Sequence, residues 1–171
     1  MNFLPRFRLI LPVMLAALLG AQAAPAAPRD DLLAPVCTGA FGDQMAALQS
    51  IARYGVEGGG DDAAWALRVV DAFEGRALRC GTDTAYIETD DALLFAATLE
   101  PVSAAEAGEL SSPSVNLRLR AVSASAAGLL TLMTAPDPAA REAALKVVSK
   151  RREAVTADLL ERIAAAEADP G

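Results

Sequence analysis

Any chemistry in this chain would have to come from carboxylates, serines or its two cysteines, because its 171 residues include no histidine. That absence excludes His-based triads, Cys–His dyads and the commonest transition-metal ligand together. Cys37 and Cys80 lack C-x-x-C spacing, and two cysteines alone cannot make a zinc site. The run Gly58-Gly59-Gly60-Asp61-Asp62 has neither the lysine nor the spacing of a phosphate loop; it reads as a linker followed by a helix cap. Asp61/Asp62 and Asp90/Asp91 are paired carboxylates of the kind used for acid–base work or Ca²⁺ binding. Caps and turns account for both pairs. Ser123 and Ser125 have no base candidate nearby and read as solvated helix positions. Trp65, Phe73 and Phe95 read as core packing rather than pocket walls. The expectation is therefore a non-catalytic protein that uses no cofactor and no metal.

The chain begins with the three parts of a secretory signal. Arg6 and Arg8 supply the positive region, Leu9 to Leu19 the apolar region, and Ala21-Gln22-Ala23 an A-x-A cleavage site. Residues 1–24 are therefore expected to be removed on export, which puts the remainder in the periplasm or on the outer face of the cytoplasmic membrane. Their removal takes two of the fifteen basic residues and no acids, leaving about 147 residues at a net charge of about −9. That length suits one domain with one core. An acidic surface repels phosphate backbones, so nucleic acid is not an expected partner. The high apolar fraction is mostly alanine spread along amphipathic segments, and no second run of 18 apolar residues follows the signal.

Residues 25–36 are rich in proline and alanine and read as a linker. From Phe41 the spacing of Phe41, Met45, Leu48 and Ala52 predicts a helix stopped by Gly55, and Asp61 or Asp62 is expected to cap the next. This second helix turns Trp65, Ala66, Val69, Val70 and Phe73 inward and ends at Gly75, expected at C′. Residues 77–96 carry turn signals at Gly81-Thr82-Asp83 and Thr89-Asp90-Asp91 and predict a small β-hairpin or meander. A loop over 100–114, with one helical turn at 103–109, then leads to the longest helix, 114–134. Its stripe is Val115, Leu119, Val122, Ala126, Leu129, Leu130 and Met133. Asp137-Pro138 opens another helix that buries Ala140, Ala144, Val147 and Val148. Thr156 is expected to cap the last one, which buries Leu159, Leu160, Ile163 and Ala164 and pairs Asp158 with Arg162.

The helix pairs repeat weakly: Leu48 and Ile51 correspond to Leu145 and Val148, and Trp65 and Val69 to Leu159 and Ile163. The expected fold is mostly α, with HEAT-like helical hairpins (an α-solenoid) over residues 37–171 and a small β-hairpin insertion near 77–96. Generic hairpins of an all-α domain would produce the same periodicity. Two helices joined antiparallel would bring Cys37 and Cys80 to one end, where a disulfide is possible; two separate buried thiols are the alternative.

An ordered series of short motifs adds to this. It comprises Asp71-Ala72-Phe73-Glu74-Gly75-Arg76-Ala77-Leu78, then Glu100-Pro101-Val102, then Asn116-Leu117-Arg118-Leu119-Arg120, and finally Asp137-Pro138-Ala139-Ala140-Arg141. In order and spacing the series resembles the N-terminal extracytoplasmic region of the urea-type ABC transporter permeases, within the branched-chain amino-acid permease family. The resemblance implies a non-catalytic accessory domain of a urea or short-chain amide uptake permease, here a fragment without the membrane helices. It also implies contact with other transporter subunits or with the solute-binding protein, and with the membrane only through the missing C-terminal permease region. The alternative from another class is a stand-alone secreted helical adaptor unrelated to transport.

Overall fold

The computed structural model describes residues 29–150 and 157–168. The expected signal segment and the expected cap at Thr156 lie outside the described residues. Seven helices and four strands follow in chain order among the described residues: α1 (Arg29–Thr38), α2 (Phe41–Gly58), α3 (Gly60–Glu74), β1 (Leu78–Cys80), β2 (Ala85–Glu88), β3 (Leu93–Phe95), β4 (Pro101–Val102), α4 (Ala104–Ala107), α5 (Leu117–Thr134), α6 (Pro138–Lys150) and α7 (Ala157–Ala168). The protein is mostly helical with a small antiparallel meander, ordered β1-β2-β3-β4.

From Arg29 on, the stretch expected as a linker is helix α1. Its residues carry little amphipathic signal, and Pro35 stands inside it. What sustains it is tertiary: Leu33 and Val36, one turn apart, are both buried in the core. Gly39 turns the chain into α2, since a Cβ there would collide with the Pro35 carbonyl oxygen and lie 2.8 Å from Asp43 Cβ. The Asp43 carboxylate accepts from the Ala40 N–H at 3.1 Å, capping α2.

Helix α2 does not stop at Gly55 but runs to Gly58, so the glycine run is a one-residue corner rather than a flexible linker. Gly59 and Gly60 have φ of 63° and 42°, the left-handed region open to glycine. A Cβ on Gly58 would lie 2.5 Å from Asp62 Oδ2. Neither Asp61 nor Asp62 is the N-cap; Gly59 holds that position without a side-chain bond. Both aspartates instead lie in the first turn of α3, where their charge complements the helix dipole.

The core sits where α2, α3 and α5 meet, and Trp65, Phe73, Leu48, Ile51, Leu119, Leu129 and Leu130 are its large, fully buried side chains. Val69 and Val70 are buried beside them as the helical spacing requires. Helix α5 begins at Leu117 rather than at 114, because the Asn116 carboxamide oxygen accepts from the Arg118 and Leu119 N–H groups, each at 3.0 Å. Ser123 and Ser125, expected to be solvated, are completely buried. Position 123 faces α3, and its hydroxyl lies 3.0 Å from Glu74 Oε1 and 3.2 Å from the Arg120 carbonyl oxygen.

Helix α6 opens as expected, with the Asp137 carboxylate accepting from the Ala139 and Ala140 N–H groups at 3.2 Å each. It buries Ala144 and Val148 but leaves Val147 exposed and Ala140 half-buried, because it packs on α5 through one face. In α7, Leu159 and Ile163 are buried, whereas Leu160 is 40 % exposed and Ala164 is exposed. Asp158 reaches Arg53 of α2 at 3.3 Å.

The meander is larger than the predicted 77–96 segment, since β4 adds Pro101 and Val102. Central strand β2 is buried at Ala85, Tyr86 and Ile87 in succession, as a strand covered on both faces must be. Beyond edge strand β1, Cys80 and Ser111 exchange both backbone hydrogen bonds, at 2.8 and 2.9 Å. The bridge stays isolated because Pro113, two residues on, has no N–H to donate to Leu78. Cys37, in the last turn of α1, and Cys80 of β1 are joined by a disulfide with Cα atoms 5.5 Å apart, which ties the first helix to the sheet.

Candidate functional site

The joint between α3 and β1 contains a backbone arrangement that the sequence does not announce. Gly75 was expected at the left-handed C′ position, but its φ is −72° and it is the C-cap. Arg76, one residue later, takes the left-handed conformation at φ = 59°. The Ala77 N–H donates to the Ala72 carbonyl at 2.7 Å, and the Arg76 N–H to the Phe73 carbonyl at 3.2 Å. Together these bonds make a Schellman motif with arginine where glycine is usual. A non-glycine residue carries about 1–2 kcal/mol of strain in this conformation.

The Arg76 turn forms one wall of an open cleft of about 470 Å³, lined by Phe73, Arg76, Arg79, Ser112, Pro113 and Val115. Phe73 belongs to α3, Arg79 to β1, and the last three residues to the segment that leads into α5. Arg79 is fixed in place. Its Nε and Nη2 donate to Glu88 Oε2 on β2 at 2.7 and 2.5 Å, and its Nη1 donates to the Ser112 hydroxyl. The Arg76 side chain is exposed and makes no hydrogen bond or ion pair with the described residues. Arginine cannot lose its proton in ordinary conditions, so Arg76 presents a fixed positive charge at the cleft, beside an Arg79 already paired with Glu88.

A second polar cluster lies at the α1–α3 contact. Arg29 Nη2 meets Asp62 Oδ1 at 2.7 Å, the Tyr54 hydroxyl donates to the same oxygen at 2.9 Å, and Arg29 Nη1 donates to the Ala97 carbonyl at 3.2 Å. The Arg29 hydrogen bond, with Tyr54 assisting against partial desolvation, holds the Asp62 carboxyl below the usual aspartate range. Arg29 loses hydration by burial, but its bonds to Asp62 and Tyr54 outweigh that loss and raise its pKa. These bonds join α1, α2, α3 and the β3–β4 connection to one another, so the cluster acts as a clamp between elements.

The motif positions are scattered over the corners of the fold. Asp71 lies on the last turn of α3, with its carboxyl raised by desolvation and by the charge of Glu74, and leads to Gly75 and Arg76. Glu100 and Pro101 stand at the β3–β4 turn, where the Glu100 carbonyl accepts from Phe95 N–H at 2.9 Å. Asn116 caps α5, and Arg118 and Arg120 point outward from its first turn. Asp137 and Pro138 start α6, and Arg141 Nη1 donates to the Ala135 and Pro136 carbonyls at 2.9 and 3.2 Å, closing the α5–α6 corner. Of the motif series, Phe73 and Arg76 line the cleft. Spacing alone does not mark Arg79, Ser112 and Pro113, which converge only through sheet pairing; the one local signal is two arginines three apart after a glycine.

The carboxylate pairs remain apart from the cleft. Asp62 is in the clamp, and Asp90 and Asp91 sit in the β2–β3 turn closed by Thr89 and Ala92. Among the described residues no three His, Cys, Asp or Glu side chains converge in an arrangement that could hold a metal ion, and no helix is long and apolar enough to cross a membrane. In comparisons with known proteins the chain matches no family model, no curated protein and no solved structure.

Proposed function

We propose that the chain is a non-catalytic, HEAT-like accessory domain of a urea or short-chain amide ABC uptake permease, exported to the outer face of the cytoplasmic membrane. One observation carries the proposal. The motif series that resembles those permeases falls, in order, on the α3–β1 joint, the β3–β4 turn, the α5 cap and the α5–α6 corner. Motifs on joints are what a scaffold needs, since they fix the angles between elements and leave helix faces open to partners. The repeat reading draws support from burial: Leu48, Ile51, Trp65 and Val69 are matched by buried Val148, Leu159 and Ile163, although Leu145 is 54 % exposed. The partners are other transporter subunits or the solute-binding protein.

Deleting the coding segment in its native cell tests this directly. Uptake of radiolabelled urea at micromolar concentration should fall, with growth on ammonia unchanged; undiminished uptake would refute the proposal. A second reading, a stand-alone helical adaptor, is favoured by the aliphatic side chains of Leu117 and Leu145, 84 % and 54 % exposed. It expects a protein partner to copurify with the chain while urea uptake is unaffected.

A further inference from the structure

We propose that the cleft between the Arg76 turn and the segment before α5 binds an acidic peptide segment of a partner protein, with a carboxylate on Arg76 and Arg79 and a neighbouring aliphatic side chain on Pro113 and Val115.

Arg76 supplies the first argument. Its backbone is strained at φ = 59° although a glycine stands one position earlier, and its side chain makes no hydrogen bond or ion pair with the described residues. The Schellman bonds hold the backbone of this turn, but the Arg76 side chain adds no bond to it among the described residues, and strained residues of this kind cluster at ligand clamps. Arg79 supplies the second. Glu88 and Ser112 occupy three of its five N–H donors and hold the guanidinium still, so two donors remain for a ligand at little entropic cost. Glu88 compensates Arg79 from β2, and none of the described residues lining the cleft is acidic, so Arg76 carries its unbalanced positive charge in a chain whose net charge is −7. Local positive charge on an acidic protein selects a compact anionic group and disfavours a broad phosphate-bearing surface.

The apolar part of the site argues for a peptide rather than a small acid. Pro113 and Val115 line the cleft, and two residues further on Leu117 is 84 % exposed at the start of α5. A small carboxylate would leave that strip wet, whereas a segment alternating acidic and aliphatic residues would cover it. The volume of about 470 Å³ accommodates one or two side chains of such a segment. The proposal rests on the cleft alone, so failure of the transport reading leaves it standing.

The test is a fluorescence-polarisation titration of the full chain with labelled acetyl-Leu-Glu-Leu-Glu-Leu-amide and with its Gln counterpart. The Glu peptide should saturate, and the Gln peptide should bind at least about tenfold more weakly, as loss of a charge-assisted bidentate contact requires. Arg76→Gly should lower affinity by a similar factor while the melting temperature holds or rises, which separates lost binding from lost folding. Arg76→Lys should keep part of the affinity. Equal binding of the two peptides, unchanged binding by Arg76→Gly, or no saturation below roughly 1 mM would overturn the proposal. So would displacement of the peptide by sodium acetate at a matching concentration, which would make the site one for any small carboxylate.

Discussion

The guanidinium carbon of Arg29 lies 4.7 Å from the centroid of the Trp65 ring, and both residues reach from there to consecutive carbonyls of the β3–β4 connection. Trp65 Nε1 donates to Ala96 at 2.7 Å and Arg29 Nη1 to Ala97 at 3.2 Å. Tyr54 packs edge-on against the same indole at 5.4 Å. Helices α1, α2 and α3 and the sheet are thus pinned at one point by a cation–π contact, an aromatic pair and directed hydrogen bonds. The clamp makes α1 part of the domain.

Removing the charge from this clamp has a pH-dependent cost. The native Asp62 carboxyl titrates below its unfolded value, so its contribution is fully present above the ordinary aspartate pKa of about 3.9 and is lost as pH falls through the lower native value. Asp62→Asn should cost about 1 kcal/mol at pH 7, as a half-buried charged hydrogen bond does, and the difference should shrink as pH falls through the lowered native pKa. Urea melts of the two proteins at pH 7 and over a descending acid series measure it. The raised pKa of Arg29 matters only at extreme alkaline pH, where its contribution would be lost on deprotonation.

The Cys37–Cys80 bridge closes a loop with a sequence separation of 43. In the chain-entropy treatment a loop of that length is stabilised by roughly 4 kcal/mol, a large share of a small domain's total. Thiol labelling of the unreduced, denatured protein should find no free thiol, and reduction should lower the denaturation midpoint sharply. Two reactive thiols per chain would contradict the bridge.

Arg76→Gly should stabilise the protein. Relief of about 1–2 kcal/mol of left-handed strain is set against the extra chain entropy of glycine, about 0.5–1 kcal/mol, leaving a net gain of up to about 1.5 kcal/mol. A thermal melt showing a lower midpoint for the variant would mean that the Arg76 side chain supports the fold.

Gly55→Ala should destabilise despite alanine's better helix propensity. An added Cβ would lie 2.5 Å from Leu130 Cδ2, 2.7 Å from Ala66 Cβ and 3.3 Å from Ala63 Cα, where α2, α3 and α5 meet. Overpacking of this kind costs about 1–3 kcal/mol and propensity returns at most about 1 kcal/mol. A denaturation midpoint at or above that of the parent protein would show that α5 can shift to accept the methyl group.

Much of the helical framework was legible in the residues themselves. The 3.6-residue spacing of Trp65, Val69 and Phe73, and of Leu119, Val122, Ala126 and Leu129, marks faces that are buried in the fold. Asp137-Pro138 marks a helix start for reasons of local bonding alone. Such signals survive because caps and amphipathic stripes depend on neighbours within a turn or two. What tertiary structure decided lies where a local pattern is silent about what covers it. Helix α1 carries a proline and little amphipathicity, and it exists because Leu33 and Val36 have a core to enter. Ser123 and Ser125 are polar in type but buried. Gly75 would serve as a left-handed cap, yet the bonds from Ala77 to Ala72 and from Arg76 to Phe73 assign that conformation to Arg76. The cleft was beyond reach for the same reason: its walls, Arg76, Arg79 and Ser112 to Val115, meet only after β1 pairs with the segment that precedes α5.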